Sequence, residues 1–445
     1  MALSQKVFKR LTAVILVLIV FQILLSHNQG STRSKSGVHT HFGSVRRITT
    51  KNNRTLVKSD VGFIGSNVLD GFKLASASQK VCKAKQIKSS FKIKPVVYIP
   101  DKRLVYCPTE KVGTTFWKRT LYMLDIREPA KYKQPYDVPI KAADEWYSKS
   151  RKDKKRSMNL LSNNEKFRFL FVRDPFSRLL SVYIDKLVPP NPTFWESFGR
   201  KAVSKFRPFS DKVKNFFKHA YFRSDGHDVT FAENLKFVTD EEKNNKGIDP
   251  HIKSVYNGCK PCTYDYTFVG RMETFKTDAL YIMKRVEMNC SLALLKDSFN
   301  EMALDDAITD SIRSPFSWKD DVIKYIVWEK ALQRIWLKLQ MRGIIESKIK
   351  PDIQKTDVDK ITADQFIEMA RKAHKLSNPV ELKKQKERVK REAFASVPLS
   401  DIIEYVETYR QDFDLFGYDR SPSYIFDREE DAFPPTEFFN YDHLN

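Results

Sequence analysis

The chain has 445 residues, with 78 Lys and Arg against 55 Asp and Glu, and a formal net charge of +23. Hydrophobic residues make up 41% and aromatic residues 13% of the chain, which excludes wholesale disorder, and five cysteines are too few for a disulfide scaffold. The positive excess predicts an anionic partner, which could be a nucleic acid, a membrane surface or an acidic glycan.

The N-terminus carries a targeting signal. Three basic residues within the first ten precede an apolar run from Leu11 to Leu25. No clean small-residue cleavage site follows, so an uncleaved signal anchor is favoured over a cleaved secretory signal. We therefore expect residues 1–10 to be a cytoplasmic tail, 11–26 a transmembrane helix, and the polar, basic residues 27–75 a flexible lumenal stem.

Two features agree with a lumenal address, which conflicts with nucleic-acid binding. Asn53 and Asn289 each begin an Asn-x-Ser/Thr acceptor for N-glycosylation. Cys259 and Cys262 could form half of a zinc site, but no second pair at metal spacing exists, so disulfide bonding is favoured. The odd cysteine count leaves at least one thiol over, with Cys290 the candidate. The pairing stays open among Cys82, Cys107, Cys259, Cys262 and Cys290.

The order of elements predicts an α/β fold with a parallel sheet. Strand-like runs occur at 96–99, 104–106 and 169–172. A loop and an apolar-periodic helix around 117–124 follow the second run, and a helix opening at Asp174-Pro175 follows the third. Strand, loop and helix in repetition are typical of parallel sheets. We expect one folded domain over 76–420.

The C-terminal third of the chain is helical and charged. Residues 319–345 have an amphipathic pattern, and 363–395 contain the basic run LKKQKERVKRE. That run indicates either a solvated helix face or a contact with an acidic polymer. Residues 398–418 return to helix with apolar anchors. The acidic residues 421–445 are expected to be a loosely held tail.

The segment YCPTEKVGTTFWKR (106–119) has the composition of an anion-binding loop. Backbone N–H groups at a helix N-terminus point at an anion, and Gly113 allows close approach of the backbone. Thr114 and Thr115 add hydroxyl donors, and Lys111 adds a positive charge. The plainer alternative is an ordinary connection with a surface lysine. The GxxxxGK[ST] motif is absent, which disfavours a P-loop nucleotide kinase.

A second segment, RFLFVRDPFSRLLSVYIDK (168–186), places Arg173 at the carboxyl end of a predicted strand. Open α/β sheets bind ligands at that edge. Ser181 lies about two helical turns further along, so the two residues could hold a second phosphate. The alternative for Arg173 is a structural ion pair with Asp174 or another carboxylate.

These two segments resemble the 5′-phosphosulfate loop and the 3′-phosphate segment of Golgi carbohydrate sulfotransferases. The similar branch contains the chondroitin and dermatan 4-O-sulfotransferases and the HNK-1 sulfotransferase. Further blocks resemble the family in the same order, at 183–207, 229–238, 249–279 and 409–419. The chain departs from the family pattern at Glu110 (usually Pro), Phe116 (usually Asn) and Ile252 (usually Trp), and 296–397 reads as an extended, charged helical insertion.

The resemblance implies a P-loop-like sulfotransferase fold and 3′-phosphoadenosine 5′-phosphosulfate (PAPS) as the donor, with no metal. It implies 5′-phosphosulfate contacts by Lys111, Val112, Gly113, Thr114, Thr115, Trp117 and Lys118. Arg173 and Ser181 would hold the 3′-phosphate, and Lys111 would also neutralise charge on the leaving group. Asp185, Lys186 and Glu273 would contact the acceptor. His251 is the expected catalytic base, and the alternatives are His227, Asp225 and Glu273.

The implied activity is sulfate transfer to a sugar hydroxyl, first of all to O4 of GalNAc in chondroitin or dermatan. Sulfation of glucuronate or of a terminal GalNAc on a glycoprotein stays open. The alternatives are a non-catalytic lumenal glycan-binding protein and, less favoured, a nucleotide kinase. The implied location is the Golgi membrane, in single-pass type II orientation with the catalytic domain in the lumen. The oligomeric state is not predicted.

Overall fold

A computed structural model describes residues 68–87, 93–126, 131–208, 226–244, 248–428, 432 and 437–440. All of them belong to the second of two units, Gly62–Asn445. The predicted tail (1–10), the predicted anchor (11–26), most of the predicted stem, and Asn53 lie outside the described residues. Within the described part, no helix combines the length and apolarity that crossing a bilayer requires.

A four-stranded sheet forms the centre of the α/β fold. Its strands are β1 (Val97–Ile99), β2 (Leu104–Tyr106), β3 (Phe167–Val172) and β4 (Phe268–Arg271), neighbours in that order. The β2–β3 and β3–β4 pairs are parallel, as the strand–loop–helix pattern predicts. The β1–β2 pair is antiparallel, because the 3₁₀ turn Pro100–Lys102 between them is too short for a parallel crossover.

Helices surround the sheet and dominate the C-terminal half. In chain order they are α1 (Val68–Ala84), α2 (Thr114–Asp125), α3 (Ile140–Ser150), α4 (Lys154–Ser162), α5 (Pro175–Lys186), α6 (Pro192–Phe194), α7 (Arg200–Phe206), α8 (Phe231–Asn244), α9 (Val255–Cys259), α10 (Phe275–Arg285), α11 (Asn289–Ser317), α12 (Lys319–Val322), α13 (Trp328–Met341), α14 (Ala363–Leu376), α15 (Pro379–Ala395), α16 (Leu399–Thr408), α17 (Arg410–Phe416) and α18 (Ser423–Phe426). Short non-α turns are Pro135–Asp137 and Lys355–Asp357 (3₁₀) and Trp195–Gly199 (π).

The sheet is buried on both faces, which explains why β3 reads as a continuous apolar run. Phe169 and Phe171 pack on one face against Trp117, while Leu170 and Val172 belong to the cluster on the other face. A third and larger apolar cluster joins α5, α8 and the helices of the C-terminal half. The edge of the sheet at which β2 and β3 end therefore faces this helical layer.

Two disulfides tie distant segments together, Cys82 to Cys262 and Cys107 to Cys259. The expectation that Cys259 and Cys262 are oxidised is confirmed, each with a distant partner. Cys290 is free and exposed. Within the described ranges, no group of three or more His, Cys, Asp or Glu side chains is placed to hold a metal ion.

Three predicted boundaries differ from the structure. Helix α1 begins at Val68, inside the predicted stem, and packs on the sheet through Phe72, whose ring lies 5.3 Å edge-on from that of Phe268. The amphipathic stretch 319–345 is divided between α12 and α13. The predicted loose tail is held in part, since Phe438 and Phe439 are buried and their amides donate to Glu392.

Candidate functional site

The loop between β2 and α2 is shaped by two residues with left-handed backbone. Lys111 has a φ of 68° and Gly113 a φ of 80°. A Cβ on Gly113 would also lie 2.3 Å from the ring of Phe275, so this position requires glycine for conformation and for space. Gly113 is the N-cap of α2, and the first-turn N–H groups of α2 have no partner within the helix. The loop therefore presents amide donors and one lysine at the sheet edge.

The amine of Lys111 meets a carboxylate from α5. Its Nζ lies 2.7 Å from Oδ2 of Asp185, and both side chains are less than one-fifth exposed. Two further lysines reach the same carboxylate: Lys338 Nζ at 2.8 Å and Lys186 Nζ at 3.3 Å. Asp185, predicted as an acceptor contact, is thus the centre of a cluster of three lysines.

Burial and charge act in opposite directions on this cluster. Burial lowers the pKa of Lys111 from 10.5 to about 8, although the Asp185 carboxylate favours the protonated amine. Burial alone would raise the pKa of Asp185, but Lys111, Lys338 and Lys186 hold it well below its ordinary value. Asp185 is therefore ionised at neutral pH, and Lys111 is mostly protonated.

Lys111 and Arg173 line one cavity of about 530 Å³. Arg173 follows β3 directly, and its Nη1 lies 3.4 Å from the backbone oxygen of Lys111. The expected convergence of these two segments is therefore present in the fold. Within the described ranges, no carboxylate lies within ion-pair distance of Arg173, which disfavours the structural ion pair with Asp174.

Helix α5 supplies the cavity's floor. Asp174 caps it by accepting from the Ser177 amide at 2.8 Å, and Pro175 occupies its first position, as the sequence indicates. Ser177, Ser181 and Asp185 follow at intervals of four residues and line the cavity together. Two hydroxyls and a carboxylate thus face the same space as Arg173.

His251 forms a dyad with Asp249; neither residue is in the cavity lining, and Lys186 connects them to Asp185, which is. Its Nδ1 lies 2.7 Å from Oδ1 of Asp249, and its ring packs edge-on against Phe194. Burial alone would raise the pKa of Asp249, but hydrogen bonds from the His251 ring and amide hold it below its ordinary value. Lys186 links the dyad to the lysine cluster, since its amine lies over the Phe194 ring and against Asp185.

The position of His251 is fixed by residues that the sequence does not single out. Arg178 on α5 is buried and donates to the backbone oxygens of His251 at 3.2 Å and Glu110 at 3.1 Å, so it joins the base segment to the Lys111 loop. Asp412 accepts from the amides of Val255 and Tyr256 at 2.8 Å, which ties α9 to α17. Burial raises the pKa of Asp412 to about 6.

The alternative bases have other surroundings. His227 is buried against Trp195 and, like His251, is not in the cavity lining. Asp225 lies outside the described residues. Glu273 lines the cavity, but its two oxygens accept from the Asp174 amide at 3.2 Å and from the Tyr418 hydroxyl at 3.1 Å. For His251, the Asp249 carboxylate lies within hydrogen-bonding distance of the ring and orients it.

Several residues of the predicted donor loop have side chains that do not line the cavity. Val112 and Trp117 are fully buried in the apolar cluster below the sheet. Lys118 pairs with Asp144 at 2.9 Å and lies over the Tyr147 ring. The reason is helical rotation: positions 117 and 118 lie on faces of α2 turned away from the loop.

The two threonines differ from each other. Thr114 is buried and its hydroxyl donates to the backbone oxygen of Thr109, which closes the loop. Thr115 is exposed. At the sheet edge, the two threonines therefore offer an anion chiefly their backbone amides in the first turn of α2. The Thr114 hydroxyl shapes the loop.

The opposite wall of the cavity is basic and was not assigned to the site from sequence. Arg342 follows α13, and Lys386 and Lys390 lie on α15; all three line the cavity. Part of the signal is in the basic run, where Lys386 lies four residues after the buried Leu382 and three before the buried Val389. A lysine on the apolar stripe of a helix indicates a contact within the fold.

The predicted glycosylation acceptor Asn289 begins α11 and is exposed. The hydroxyl of Ser291, the third residue of the acceptor motif, is buried and donates to the Lys133 backbone oxygen at 2.7 Å. Asn289, the residue that would carry the glycan, is thus at the surface, whereas the serine of its motif is buried.

The sequence is similar to known sulfotransferases. A family described as "Sulfotransferase family" matches residues 94–335. Carbohydrate sulfotransferase 11 of Rattus norvegicus is 28% identical over 214 residues, which is 47% of this chain and 57% of the relative. Carbohydrate sulfotransferase 9 of Homo sapiens is 31% identical over 196 residues (43% and 40%), and carbohydrate sulfotransferase 12 of Xenopus laevis is 26% identical over 252 residues (52% and 56%).

The chain spans about half the length of the curated relatives it matches. No solved structure matches it at a significant level. The family match ends at residue 335, so Lys338, Arg342, Lys386 and Lys390 all lie beyond it.

Proposed function

The chain belongs to the sulfotransferase family, and we propose that it is a PAPS-dependent carbohydrate sulfotransferase that modifies a sugar hydroxyl of a glycan. The observation that carries the proposal is the single cavity shared by Lys111 and Arg173, at the edge where β2 and β3 end. The named relatives act on carbohydrates, which supports a glycan acceptor. Among acceptors we propose O4 of GalNAc in chondroitin or dermatan.

The residues present suit a donor with two separated anionic groups. The cavity is lined by five cationic side chains, Lys111, Arg173, Arg342, Lys386 and Lys390, against three carboxylates, Asp185, Glu273 and Glu387. Lys111 and the first-turn amides of α2 would hold the 5′-phosphosulfate, and Arg173 with Ser181 would hold the 3′-phosphate. A positive excess in a cleft raises the local concentration of a polyanion.

The reaction exchanges one bond at sulfur for another. When bound, PAPS supplies a sulfonyl group on a phosphate leaving group; the acceptor oxygen forms a bond to sulfur as the bond from sulfur to the 5′-phosphate oxygen breaks. His251 takes the hydroxyl proton at Nε2, because Asp249 accepts a hydrogen bond from Nδ1–H and so fixes that tautomer. Protonated Lys111 neutralises the charge that develops on the departing phosphate.

The acceptor would approach from the side of Lys186 and His251. Lys186 lies between Asp185 and the Phe194 ring, which itself contacts His251, so a cation stands beside the base. A net charge of +23 over the chain favours an acceptor rich in uronate carboxylates. Glu273, at the cavity rim, orients the loop after β4 through its contacts with Asp174 and Tyr418.

The activity is tested with the full-length chain in detergent, PAPS labelled in the sulfonyl group, and a panel of desulfated glycans. We expect label on desulfated chondroitin and dermatan, with O4 of GalNAc as the modified position. Label on another hydroxyl would overturn the acceptor assignment and leave the sulfotransferase activity. Binding of glycan with no transfer to any member of the panel would favour the non-catalytic glycan-binding alternative.

The role of His251 has its own test. We expect His251→Ala to lower kcat by about 100-fold or more, in the range typical for loss of a general base. Asp249→Asn removes the carboxylate that fixes the His251 tautomer and should lower kcat less, with donor binding unchanged. A retained rate in His251→Ala would move the proton transfer to another group, with Glu273 the next candidate.

We also propose that the protein is a Golgi membrane protein in type II orientation, anchored by residues 11–26. The basic flank before the apolar run supports this orientation. Protease protection of microsomes checks it: an epitope at the C-terminus should be protected until detergent is added. Digestion of that epitope in intact microsomes would reverse the orientation.

A further inference from the structure

Three cations on the two walls of the cavity lie close to one another, and no carboxylate of the described residues forms an ion pair with them. Arg173 comes from the end of β3, Arg342 from the end of α13, and Lys386 from α15. Among the residues that the structure describes, Arg342 donates to two neutral groups, the Ser311 hydroxyl at 2.9 Å and the Ala307 backbone oxygen at 3.4 Å. Within the described ranges, Lys386 has no ion-pair partner either.

The proximity of these charges is visible in their electrostatics. Partial desolvation lowers the pKa of Lys386, and Arg173 and Arg342 lower it further, while the Glu387 carboxylate acts in the opposite sense. Burial also lowers the pKa of Arg173, where Glu273 and Asp174 act in the opposite sense and Arg342 adds to the decrease. Like charges that lower one another's pKa are held together at a free-energy cost, and a bound anion would remove that cost.

The fold keeps the helical wall in place. Gly343 ends α13 with a φ of 66°, and a Cβ there would lie 2.3 Å from Cγ of Lys386, so the lysine's stem rests against the turn. Its neighbour Gln385 is fully buried and donates to the backbone oxygens of Gln340 at 2.7 Å and Ile345 at 2.9 Å. These contacts lock α15 onto the end of α13, which brings Lys386 and Arg342 to the same cavity.

We propose that Arg342 and Lys386 complete, with Arg173, a subsite for a phosphate dianion, and that they determine the selectivity for a 3′-phosphorylated nucleotide. This rests on the proposed function, because it takes the donor to be PAPS. One guanidinium balances half of a phosphate dianion, so at least one further cation is needed, and the helical wall offers two, next to the Glu387 carboxylate. The subsite therefore depends on residues beyond the segment matched by the sulfotransferase family.

The hydroxyls on α5 fit the same subsite. Ser177 and Ser181 line the cavity together with the three cations and offer neutral donors. Phosphate oxygens in proteins are held by such a mixture of guanidinium, ammonium and hydroxyl donors. Lys390 is set apart from the three, because its amine lies over the Tyr424 ring at 4.2 Å and near Asp174 at 3.8 Å.

The test is calorimetric binding of adenosine 3′,5′-bisphosphate and of 5′-AMP to the full-length chain in detergent. We expect Lys386→Ala and Arg342→Ala each to weaken the bisphosphate by about 10- to 100-fold, the scale of one hydrogen bond to a charged group. The affinity for 5′-AMP should change by less than about threefold. Lys384→Ala, an exposed lysine on α15 outside the cavity lining, is the matched control and should change neither.

Three other results would contradict the phosphate subsite or the proposed function. If both variants bind the bisphosphate like the wild type while the KM for glycan rises, the helical cations serve the acceptor and the subsite proposal fails. If the wild type binds 5′-AMP and the bisphosphate equally, selectivity for the 3′-phosphate is absent and the proposal also fails. If the wild type binds neither nucleotide, the proposed sulfotransferase function is contradicted, and the subsite proposal that rests on it fails with it. Thermal melts of Lys386→Ala, whose side chain is exposed, separate a binding defect from unfolding.

Discussion

The two walls of the cavity carry similar charges but owe them to different kinds of structure. On the sheet wall, Arg173 comes directly after β3 and Lys111 lies in the loop that follows the parallel strand β2, so the topology brings them to one edge. On the helical wall, Arg342, Lys386 and Lys390 depend on how α13 and α15 pack on each other. The comparison shows that one anion site can combine residues placed by local sequence patterns with residues placed only by the packing of distant helices.

The walls are joined through one carboxylate. Asp185, on α5, accepts from Lys111 of the sheet wall and from Lys338 of α13. Its ionised state keeps three lysines together in a poorly solvated place. Variants on each side of Asp185 therefore separate what each wall contributes.

The largest expected effect is on the sheet wall. Lys111→Ala should lower kcat by about 10²–10³-fold, the cost of removing one group that stabilises developing charge. Arg173→Ala should act mainly through donor affinity, since that side chain lies at the other end of the proposed donor. Transfer of labelled sulfate measures both. Lys118→Ala is the control, because Lys118 pairs with Asp144 away from the cavity; a loss as large as that of Lys111→Ala would remove the site assignment.

The junction between the walls gives the next effect, which is seen in pH dependence. For the wild type, kcat/KM should fall as pH rises through about 8, as Lys111 loses its proton. Asp185→Asn removes the partner that favours protonated Lys111, so the alkaline limb should move to lower pH. The same variant leaves three lysines uncompensated and should lower the free energy of unfolding by on the order of 3 kcal/mol.

The sign of the stability effect separates titration from unfolding. The folded pKa of Lys111 lies below its ordinary 10.5, so between pH 8 and 10.5 the unfolded chain binds more protons at this residue. Lys111 alone therefore makes the native state more stable as pH rises over that range. If the wild-type rate and the unfolding temperature fell together above pH 8, the decline would report unfolding and not the Lys111 proton.

A smaller effect of opposite sign is expected from the helical wall. Lys338→Met removes one partner of Asp185 and leaves Lys111 and Lys186 in place. With less competition for the carboxylate, protonated Lys111 is favoured and the alkaline limb should move to higher pH. Stability should change by only about 1–2 kcal/mol, the scale of one hydrogen bond to a charged group. Limbs that move the same way in Lys338→Met and Asp185→Asn would contradict a competition for Asp185.

The sheet wall could be predicted from sequence because its signals are local. The apolar run of β3, the cap at Asp174 and the glycine at 113 each fix a neighbouring backbone, and parallel strands then align their ends. Within that loop, position along the chain does not fix where a side chain lies, and the donor contacts predicted for Trp117 and Lys118 stay predictions. Trp117 and Lys118 are only a few residues from Lys111, yet the rotation of α2 carries their side chains into the core and toward Asp144.

The helical wall could not be predicted in the same way. In the basic run on α15, nothing in the composition of the local sequence distinguishes Lys386 from the neighbouring Lys383 and Lys384, and all three side chains are exposed. What distinguishes Lys386 is its place on the apolar stripe and the contact of its stem with Gly343, more than forty residues earlier. That contact depends on the turn that ends α13, a long-range feature that no local pattern encodes. The disulfide partners of Cys259 and Cys262 were open for the same reason.

The smallest expected effect concerns Glu110, where the family pattern has proline. An acidic residue next to Lys111 in sequence suggests repulsion of an anionic donor. In the fold, Glu110 is absent from the cavity lining, and its backbone oxygen accepts from Arg178 on the far side of the loop. Its charge acts on the buried Lys94, where it opposes the decrease in pKa that burial causes.

Glu110→Gln should therefore change the KM for PAPS by less than about threefold, because an exposed or screened charge outside the pocket has little effect on binding. Steady-state kinetics at low and moderate salt measure it, with Glu387→Gln as the comparison, since Glu387 does line the cavity. If Glu110→Gln lowers the KM for PAPS tenfold, and if added salt removes this difference from the wild type, then the electrostatic field of Glu110 reaches the donor. In that case the left-handed turn at Lys111 would not isolate the two neighbouring side chains, and the sheet wall would be less basic than its lining indicates.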